Sequence, residues 1–509
     1  MSTSGYVTDT SYTAGFYRET APSHLAFAAV LGGYAPGGAL HPCRVLELGF
    51  GQGFGLALLA AANPDVIFEG CDFNREHVRQ ATSFAARAGL RNIQLSCATF
   101  EDWAARAGSQ DADVIILHGV FAWVAPATQE AILSIVRQRL RQGGLFYVSY
   151  NAMPGWAALA PIRDFIIDVK GRNPDHSERQ LTLGLELLAK MRAAGAHYFA
   201  ANPAAAQHLD RMLTRDRRYL AHEYLDDDWR PLHFSEVAAR LATAGLDYIA
   251  TATLSESLDA CTVPHGIMPL LSSTQDPVLA ETLRDYATNK LFRRDIFARG
   301  AVVLSAGERR AMLSRFGFAL IVPQDRASLQ FYTPTGERTG KEELYRPILE
   351  RLGTDSASFD DLLALEPFGP ERIEMLIECV TLLVHSGQVL PLVAPAAREA
   401  ATAVRFNRTI VDEARNGIIR DSLASPLTRT GVPVNDFALL AVMAWLDGSG
   451  NSAQTAAAYG LRALKQLGRR PLRDRLPIED DAEAIAFLAE HLRPILADGL
   501  AVLRRLGVI

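Results

Sequence analysis

The stretch VLELGFGQGFG, residues 45–55, passes from an apolar run into a loop with glycine at every second position. The apolar run predicts a buried strand, and FGLALLAAA at 54–62 predicts the helix that follows it. Glycine has no Cβ, so a loop of this composition allows its backbone to lie close to a ligand. The candidate ligand-binding residues in this stretch are Glu47, Gly49, Gly51 and Gly53.

Strands and helices alternate in the N-terminal part of the chain. Further apolar runs predict strands at 66–73, 92–99, 113–119 and 144–150. The stretches between them predict helices at 75–89 and 126–141. This alternation predicts an α/β fold with a doubly wound parallel sheet. Ligands of such sheets bind beyond the carboxyl ends of the strands, which is where the glycine loop is expected.

The glycine loop does not match two common phosphate-binding patterns. A GxGxxG fingerprint that starts at Gly49 needs its third glycine where Phe54 stands, and one that starts at Gly51 needs it at Leu56. A GxxxxGKS or GxxxxGKT loop needs a lysine, and no lysine directly follows these glycines. The loop therefore indicates a ligand that it holds without a phosphate group.

Asp72 ends the second predicted strand, about 20 residues after the glycine loop, which is the offset at which an acid reaches ribose hydroxyls in nucleotide-binding sheets. Two acids around a loop that lacks the phosphate patterns favour a nucleoside cofactor without a phosphate. S-adenosylmethionine is such a cofactor, and Glu47 suits its ammonium group. The alternative is a glycine-rich turn with no ligand.

This pattern over residues 41–151 resembles the class I S-adenosylmethionine-dependent methyltransferases. Further stretches resemble one subgroup, the bacterial methyltransferases with a regulatory domain, whose best-known members are the rickettsial protein-lysine methyltransferases. Those stretches are YVTDTSYTAGFYRETAPSHL (6–25), HGVFAWV (118–124), VSYNAMPGW (148–156), YLAHEYLDDDW (219–229) and FRRDIFARG (292–300). The resemblance implies the cofactor, but it does not identify the methyl acceptor.

The resemblance also implies a Rossmann-like class I methyltransferase core with a helical insertion and additional, mostly helical C-terminal domains, one of them winged-helix-like. An N-terminal lid and the core are expected at 1–159, a helical dimerisation or regulatory insertion at 160–231, and the last core strands at 232–304. A middle winged-helix-like domain is expected at 305–395, and a helical C-terminal domain at 396–509.

The catalytic candidates lie at the carboxyl ends of predicted strands and are His118, Tyr150 and Asn151. Methyl transfer to nitrogen requires a neutral, desolvated amine aimed at the methyl group. Many amino-methyltransferases have an Asn/Asp-Pro-Pro-aromatic loop after the fourth strand, whereas this chain has HGVF at 118–121. His118 either accepts a hydrogen bond or proton from the amine, or packs near the adenine. Tyr150 and Asn151 either orient the amine or only cap the strand end.

The resemblance adds residues to the cofactor-binding set, and these are Tyr17, Phe73, Thr99, Phe100 and His118. Tyr17 belongs, with Tyr6 and Tyr12, to an N-terminal segment that in the family folds over the cofactor. An aromatic ring there excludes water from the methionine end. The alternative for this segment is a helix docked on the core.

Charge and hydropathy limit the partners. The chain has 509 residues and a net charge of −6, so no basic excess indicates nucleic acid. The predicted helix at 370–387 is acidic, which argues against binding in a DNA groove. No apolar run reaches the ~18 residues that span a bilayer, and no signal-peptide pattern opens the chain. Neither nucleic-acid binding nor membrane insertion is expected.

Cysteine and histidine spacing limits the redox and metal chemistry. The five cysteines form no CxxC pair, which favours reduced thiols and a cytoplasmic location. His222 and Glu223 in HEYLD lack the second histidine of HExxH, and no other cluster has ligand spacing. No metal is therefore expected.

The leading functional prediction is S-adenosylmethionine-dependent methylation of lysine nitrogen in a protein or peptide, by a homodimer. One alternative is a methyltransferase that acts on a small molecule or peptide in a biosynthetic pathway. An alternative of another class is a non-catalytic protein that senses the cofactor and binds a partner through its C-terminal half.

Overall fold

The structure, a computed structural model, describes residues 15–106, 108–173, 175–393 and 400–509. Its largest sheet has seven strands in the order β3-β2-β1-β4-β5-β7-β6. The strands are β1 (Arg44–Leu48), β2 (Ile67–Asp72), β3 (Ile93–Cys97), β4 (Ala112–Leu117), β5 (Leu140–Asn151), β6 (Leu246–Thr251) and β7 (Phe292–Arg299). The helices up to β5 are α1 (Pro22–Leu31), α2 (Phe54–Ala62), α3 (Arg75–Arg87), α4 (Phe100–Ala104) and α5 (Pro126–Arg139).

The expected α/β fold with a Rossmann-like sheet is confirmed, and one strand, β7, is antiparallel to its neighbours. Strands β1 to β5 pair in parallel. Strand β7 lies between β5 and β6 and is antiparallel to both. The sequence predicts β7 as a strand but not its direction, because direction depends on where the chain re-enters the sheet after a long helical excursion.

Between β5 and β6 the chain leaves the sheet and forms a helical layer with its own apolar core. The helices described there are α6 (Ala160–Arg172), α7 (Ser177–Ala193), α8 (His197–Ala201), α9 (Pro203–Leu213) and α10 (Arg217–Tyr224). Trp229 closes this layer, since its ring lies 4.7 Å from that of Trp156. The Trp229 Nε1–H donates to Asn151 Oδ1 at 3.1 Å, which fastens the layer to the end of β5.

The chain returns through α11 (Phe234–Ala242), β6, α12 (Asp259–Thr262), α13 (Met268–Ser273) and α14 (Pro277–Thr288) before β7. Arg293 on β7 joins this part to the sheet. Its guanidinium pairs with Asp295 at 2.9 Å, with Asp285 at 2.5 Å and with Glu281 at 2.8 Å. Because this buried charge is fully paired, it holds α14 against the sheet.

A middle region of helices and short strands follows β7. Its elements are α15 (Ala306–Leu313), β8 (Phe316–Leu320), β9 (Gln330–Thr333), β10 (Gly336–Thr339), α16 (Glu342–Thr354), β11 (Ala357–Ser358), α17 (Phe359–Leu363), α18 (Ile373–His385) and β12 (Val389–Val393). Strand β8 was not predicted, and it is the centre of a three-stranded sheet, β11-β8-β12. A five-residue strand such as β8 gives a weak local signal because its partners are distant in sequence.

The C-terminal region is mostly helical, and it contains two hairpins that the sequence does not predict. Its elements are α19 (Ala400–Arg415), β13 (Ser422–Ser425), β14 (Thr430–Pro433), α20 (Asp436–Leu446), α21 (Ala453–Gln466), β15 (Leu472–Arg473), β16 (Leu476–Pro477), α22 (Asp481–Pro494) and α23 (Leu500–Arg505). The two hairpins are the antiparallel pairs β13–β14 and β15–β16. Short hairpins carry too few residues to reveal a period of two.

Helix α2, which starts directly after the glycine loop, is apolar on every face because it lies between two cores. Leu56 and Leu59 pack into the core of the large sheet. Phe54 and Leu58 pack into the core of the C-terminal region, where the Phe54 ring lies 6.3 Å from that of Phe406. The C-terminal region therefore holds the helix that carries the glycine loop.

Candidate functional site

The glycine loop adopts a backbone that side chains rarely allow. Gly49, Gly51 and Gly53 have φ angles of 74°, 57° and 72°, which lie in the left-handed region that favours glycine. A Cβ on Gly53 would lie 2.6 Å from the Cβ of Ala81 on α3, whereas a Cβ on Gly51 would meet nothing within 4 Å. The loop thus packs on α3 at one end and leaves an open cradle in the middle.

The two acids expected to bind the cofactor lie beside this loop. Asp72 Oδ2 accepts a hydrogen bond from the Gly51 N–H at 2.9 Å, and its Oδ1 accepts one from the Asn74 N–H at 2.9 Å. Burial, together with the charge of Asp72, raises the pKa of Glu47 to about 8. Glu47 is therefore mostly protonated at neutral pH, and an incoming cation would favour its ionised form.

The other predicted cofactor residues surround the loop in different ways. A Cβ on Gly49 would lie 3.5 Å from the Phe100 ring, so Phe100 borders the loop. The Thr99 hydroxyl accepts from the Asp102 N–H at 3.1 Å and begins α4. Phe73 follows β2 with 42% of its surface exposed. Phe73 keeps a partly exposed ring, whereas the Thr99 side chain caps the helix.

This arrangement fits S-adenosylmethionine. A nucleoside lies against glycine backbone, a ribose needs a carboxylate, and an α-ammonium group needs a nearby acid. The cradle over Gly51, the carboxylate of Asp72 and the buried carboxyl of Glu47 meet these needs together.

His118 directly follows β4 and belongs to a hydrogen-bonded group. Its Nδ1 lies 2.9 Å from the Tyr147 hydroxyl and 3.2 Å from the Ser149 hydroxyl. The Gly119 N–H donates to the same Ser149 oxygen at 2.8 Å. Burial, together with the charge of Arg294, lowers the pKa of His118 to about 3. The imidazole is therefore neutral at physiological pH, with one donor and one acceptor nitrogen.

Tyr17 covers His118, and the two ring centres are 3.9 Å apart with the planes tilted by 30°. The Tyr17 ring keeps 42% of its surface exposed. Burial, together with the charge of Glu223 on α10, raises the pKa of Tyr17. The N-terminal segment, β4 and the helical layer thus meet at one pocket. Tyr6 and Tyr12 lie outside the described residues.

The structure does not bring Tyr150 to this pocket. Successive residues of a strand face opposite sides of the sheet, so Tyr150 faces away from the side that carries Tyr147 and Ser149. Tyr150 is fully buried, and its hydroxyl donates to Asp295 at 2.6 Å. Its placement therefore argues against the amine-orienting role expected for it. Asn151 shares the side of Ser149, but its Oδ1 accepts from Trp229.

Several residues of the His118 pocket were not singled out from the sequence, namely Glu19, Tyr147, Ser149, Phe292 and Arg294. The Phe292 ring lies 6.4 Å from that of His118, and the Arg294 guanidinium lies 5.0 Å from the Phe292 ring centre. A period of two along β5, counted back from Asn151, would have assigned Tyr147 and Ser149 to one face. No local signal distinguishes Arg294 from its neighbour Arg293.

Other parts of the described chain show no competing chemistry. A separate cleft of about 880 Å³ between α16 and α23 contains none of the site residues above. No group of three or more His, Cys, Asp or Glu residues is placed to hold a metal within the described ranges. Among the helices described, none has the length and apolar character to cross a membrane.

Comparisons with known proteins place two family models on this chain. A methyltransferase domain matches residues 45–144, which hold the glycine loop, Asp72 and His118. A predicted methyltransferase regulatory domain matches residues 216–299, which run from α10 to the end of β7. Both models contribute residues to the pocket around His118.

Relatives that match longer parts of the chain extend this result. The "Uncharacterized protein sll1526" of Synechocystis sp. is 30% identical over 99% of this chain and 99% of its own length. The "Uncharacterized protein RP789" of Rickettsia prowazekii is 25% identical over 60% of this chain and 55% of its own. The structure of PKMT2 from Rickettsia typhi in complex with AdoHcy has a TM-score of 0.69 and 19% identity, covering 98% of this chain and 99% of that one. At that identity the likeness concerns the fold.

Proposed function

This chain belongs to the class I S-adenosylmethionine-dependent methyltransferases that carry a methyltransferase regulatory domain, and from that premise we propose that it methylates lysine side chains of a protein. The observation that carries the proposal is a neutral imidazole, His118, enclosed by aromatic rings at the carboxyl end of β4. Such a pocket suits an amine that must lose its water and its proton before it reacts.

We assign the cofactor to the cradle beside the glycine loop. When bound, S-adenosylmethionine supplies an electrophilic methyl group on a sulfonium. In our proposal Glu47 pairs with its ammonium group, Asp72 accepts from its ribose, and the backbone of Gly49, Gly51 and Gly53 allows the close approach. The proposed cofactor-binding residues also include Phe73, Thr99 and Phe100. In this proposal the Phe73 ring stacks against the cofactor.

The acceptor amine is assigned to the pocket between Tyr17, His118 and Phe292. We take Nδ1–H of His118 to donate to the Tyr147 hydroxyl, which leaves the Nε2 lone pair to accept a hydrogen bond from the amine. A pKa of about 3 makes this nitrogen a weak base, so it orients the amine rather than holding its proton. The rings of Tyr17 and Phe292 exclude water and stabilise a methylated ammonium product through cation–π contact.

The test is transfer of a labelled methyl group. Purified protein is incubated with methyl-labelled S-adenosylmethionine and cell lysate, and the acceptor fraction is hydrolysed and separated. We expect the label to enter protein and to be recovered as methylated lysine. The Asp72→Ala variant serves as control, because it lacks the assigned ribose partner and is expected to lose most transfer at low cofactor concentration.

Each other outcome identifies a competing function. Label in small molecules or free peptides would contradict methylation of protein lysine. It would instead identify a methyltransferase of a biosynthetic pathway. Cofactor binding without any transfer would identify a cofactor-sensing interaction protein. Label in protein residues other than lysine would keep the methyltransferase and reject the acceptor.

We further propose a cytoplasmic homodimer that is built partly through residues 160–231. The helical layer in that range supports this, because it has its own core while Glu223 on α10 influences the His118 pocket. Sedimentation velocity at micromolar concentration is expected to give the mass of two chains. A single-chain mass under those conditions would contradict the dimer.

A further inference from the structure

Two adjacent arginines on β7 have opposite surroundings. Arg293 is buried and makes ion pairs with three carboxylates, which are those of Glu281, Asp285 and Asp295. Arg294 has no carboxylate within the 4.0 Å of an ion pair among the described residues. The first arginine is therefore a structural cation, whereas the second makes no ion pair with a described carboxylate, although its charge helps to lower the pKa of Glu19.

The hydrogen bonds of Arg294 are also incomplete. A guanidinium has five N–H donors, and the one contact made to a described side chain is 3.4 Å long, from Nη1 to the Thr253 hydroxyl. The Nε atom is buried and has no partner within the described part of the chain. The Arg294 side chain as a whole is only partly buried, so its remaining guanidinium donors can reach a ligand.

The side chain of Arg294 faces the His118 pocket. Arg294 pairs with Ser149 across β5 and β7, and paired residues share one side of the sheet. The Ser149 hydroxyl lies 3.2 Å from His118 Nδ1. Phe292, on the same strand, stacks under the guanidinium and lies 6.4 Å from His118. The positive charge of Arg294 helps to lower the pKa of His118, and it opposes the rise in the pKa of Tyr17.

The position of β7 separates Arg294 from the cofactor loop. In the sheet order, β7 lies two strands beyond β4, on the side opposite to β1 and its glycine loop. The two strand spacings from β4 to β7 amount to about 10 Å. The guanidinium thus lies near His118, on the side away from the glycine loop.

We propose that Arg294 forms a carboxylate-binding subsite, which holds a carboxylate that the methyl acceptor carries near the amine to be methylated. A guanidinium binds a carboxylate through two parallel hydrogen bonds, which orients the acceptor as well as holding it. This inference rests on the proposed function, since it takes the His118 pocket as the acceptor site. It adds that the acceptor is an amine accompanied by a carboxylate, as in a chain-terminal lysine.

The carboxylate has two possible sources, the acceptor and the cofactor's own amino-acid end. Binding is measured by calorimetry with two acceptor probes, Nα-acetyl-lysine and its amide, on protein saturated with S-adenosylhomocysteine. We expect the wild-type protein to prefer the free carboxylate by about 10- to 100-fold. Arg294→Gln should reduce this preference to near unity, and Arg294→Lys should retain part of it.

The matched control is Arg299→Gln on the same strand, which should leave the preference unchanged because Arg299 donates to the backbone oxygens of Val136 and Arg137. If Arg294→Gln does not fold, Arg294→Lys serves as the test variant. Its preference for the free carboxylate should be smaller than that of the wild type, because lysine keeps the charge but cannot donate two parallel hydrogen bonds. Equal binding of both probes by the wild-type protein would overturn the proposal. An unchanged preference in a folded Arg294 variant would do the same.

A second pair of probes distinguishes the sources. If Arg294→Gln weakens S-adenosylhomocysteine but not an analogue that lacks its α-carboxylate, the carboxylate belongs to the cofactor and the acceptor subsite is wrong. We expect both cofactor probes to bind Arg294→Gln as they bind the wild type. All these measurements are made without methyl transfer, so their failure is distinguishable from a failure of lysine labelling.

Discussion

Replacing His118 by alanine is expected to lower the rate of methyl transfer at saturating cofactor by about 100-fold, the range for one group that acts on the reacting proton or lone pair. The physical reason is the loss of the acceptor nitrogen that orients the amine. Cofactor affinity should change by less than about 10-fold, since Asp72 and the glycine loop remain in place. The measurement is kcat with a labelled acceptor protein, together with the dissociation constant for S-adenosylhomocysteine.

Two matched variants separate orientation from proton transfer. His118→Asn keeps an acceptor oxygen and should recover part of the rate. Tyr147→Phe removes the hydroxyl beside Nδ1 and should cost less than His118→Ala. Because the pKa of His118 is about 3, the rate should show no imidazole titration between about pH 5 and 9. A large loss of cofactor affinity with normal turnover would instead make His118 a wall of the adenine pocket.

Cofactor affinity is expected to rise steeply with pH because Glu47 must ionise to pair with the ammonium group. The pKa of Glu47 in the free protein is about 8, against an ordinary value of 4.5. A carboxyl with that pKa is about 1% ionised at pH 6 and half ionised at pH 8, while the amino group of the ligand is about half protonated at pH 8, so the affinity should increase by roughly 25-fold over this range. Above pH 8 the affinity should fall again, because a free α-amino group loses its proton near a pKa of about 8.

Calorimetry with S-adenosylhomocysteine at several pH values measures this effect, and buffers of different ionisation enthalpy report the released proton. Glu47→Gln should bind more weakly at pH 8 and lack the rise between pH 6 and 8. Asp72→Asn should move the rise to lower pH, because it removes the negative charge that helps to raise the Glu47 pKa. An identical pH profile for the wild type and Glu47→Gln would exclude Glu47 as the ammonium partner.

The first half of the fold could be predicted because its signals are local. The apolar run before Gly49 and the fully apolar helix after Gly53 follow each other within a few residues, and the structure contains β1 and α2 at those positions. The glycine spacing and Asp72 indicate S-adenosylmethionine, and the match to a methyltransferase domain confirms that cofactor. Local periodicity reports which residues are buried, and it does so without knowledge of their partners.

The end of β5 shows what local periodicity in the sequence does not determine. Tyr150 and Asn151 end the strand as predicted, but a strand end does not say which side of the sheet a residue faces. The register places Ser149 with Arg294 and Tyr150 with Arg293. Tyr150 consequently donates to Asp295 in a buried ion network rather than to a substrate. Choosing between these sides requires the pairing of β5 with a strand more than a hundred residues away.

The sequence by itself therefore determined the enzyme class and the cofactor, since a strand, a glycine loop and two acids lie within one short stretch of chain. Tertiary structure decided which residues surround His118. Tyr17, His118 and Arg294 come from the N-terminal segment, β4 and β7, and each has an ordinary local sequence. Arg294 lies near the other two because β7 pairs with β5 in the register that places Arg294 opposite Ser149. A strand's direction and partners follow from long-range packing, which leaves no periodic trace in the sequence.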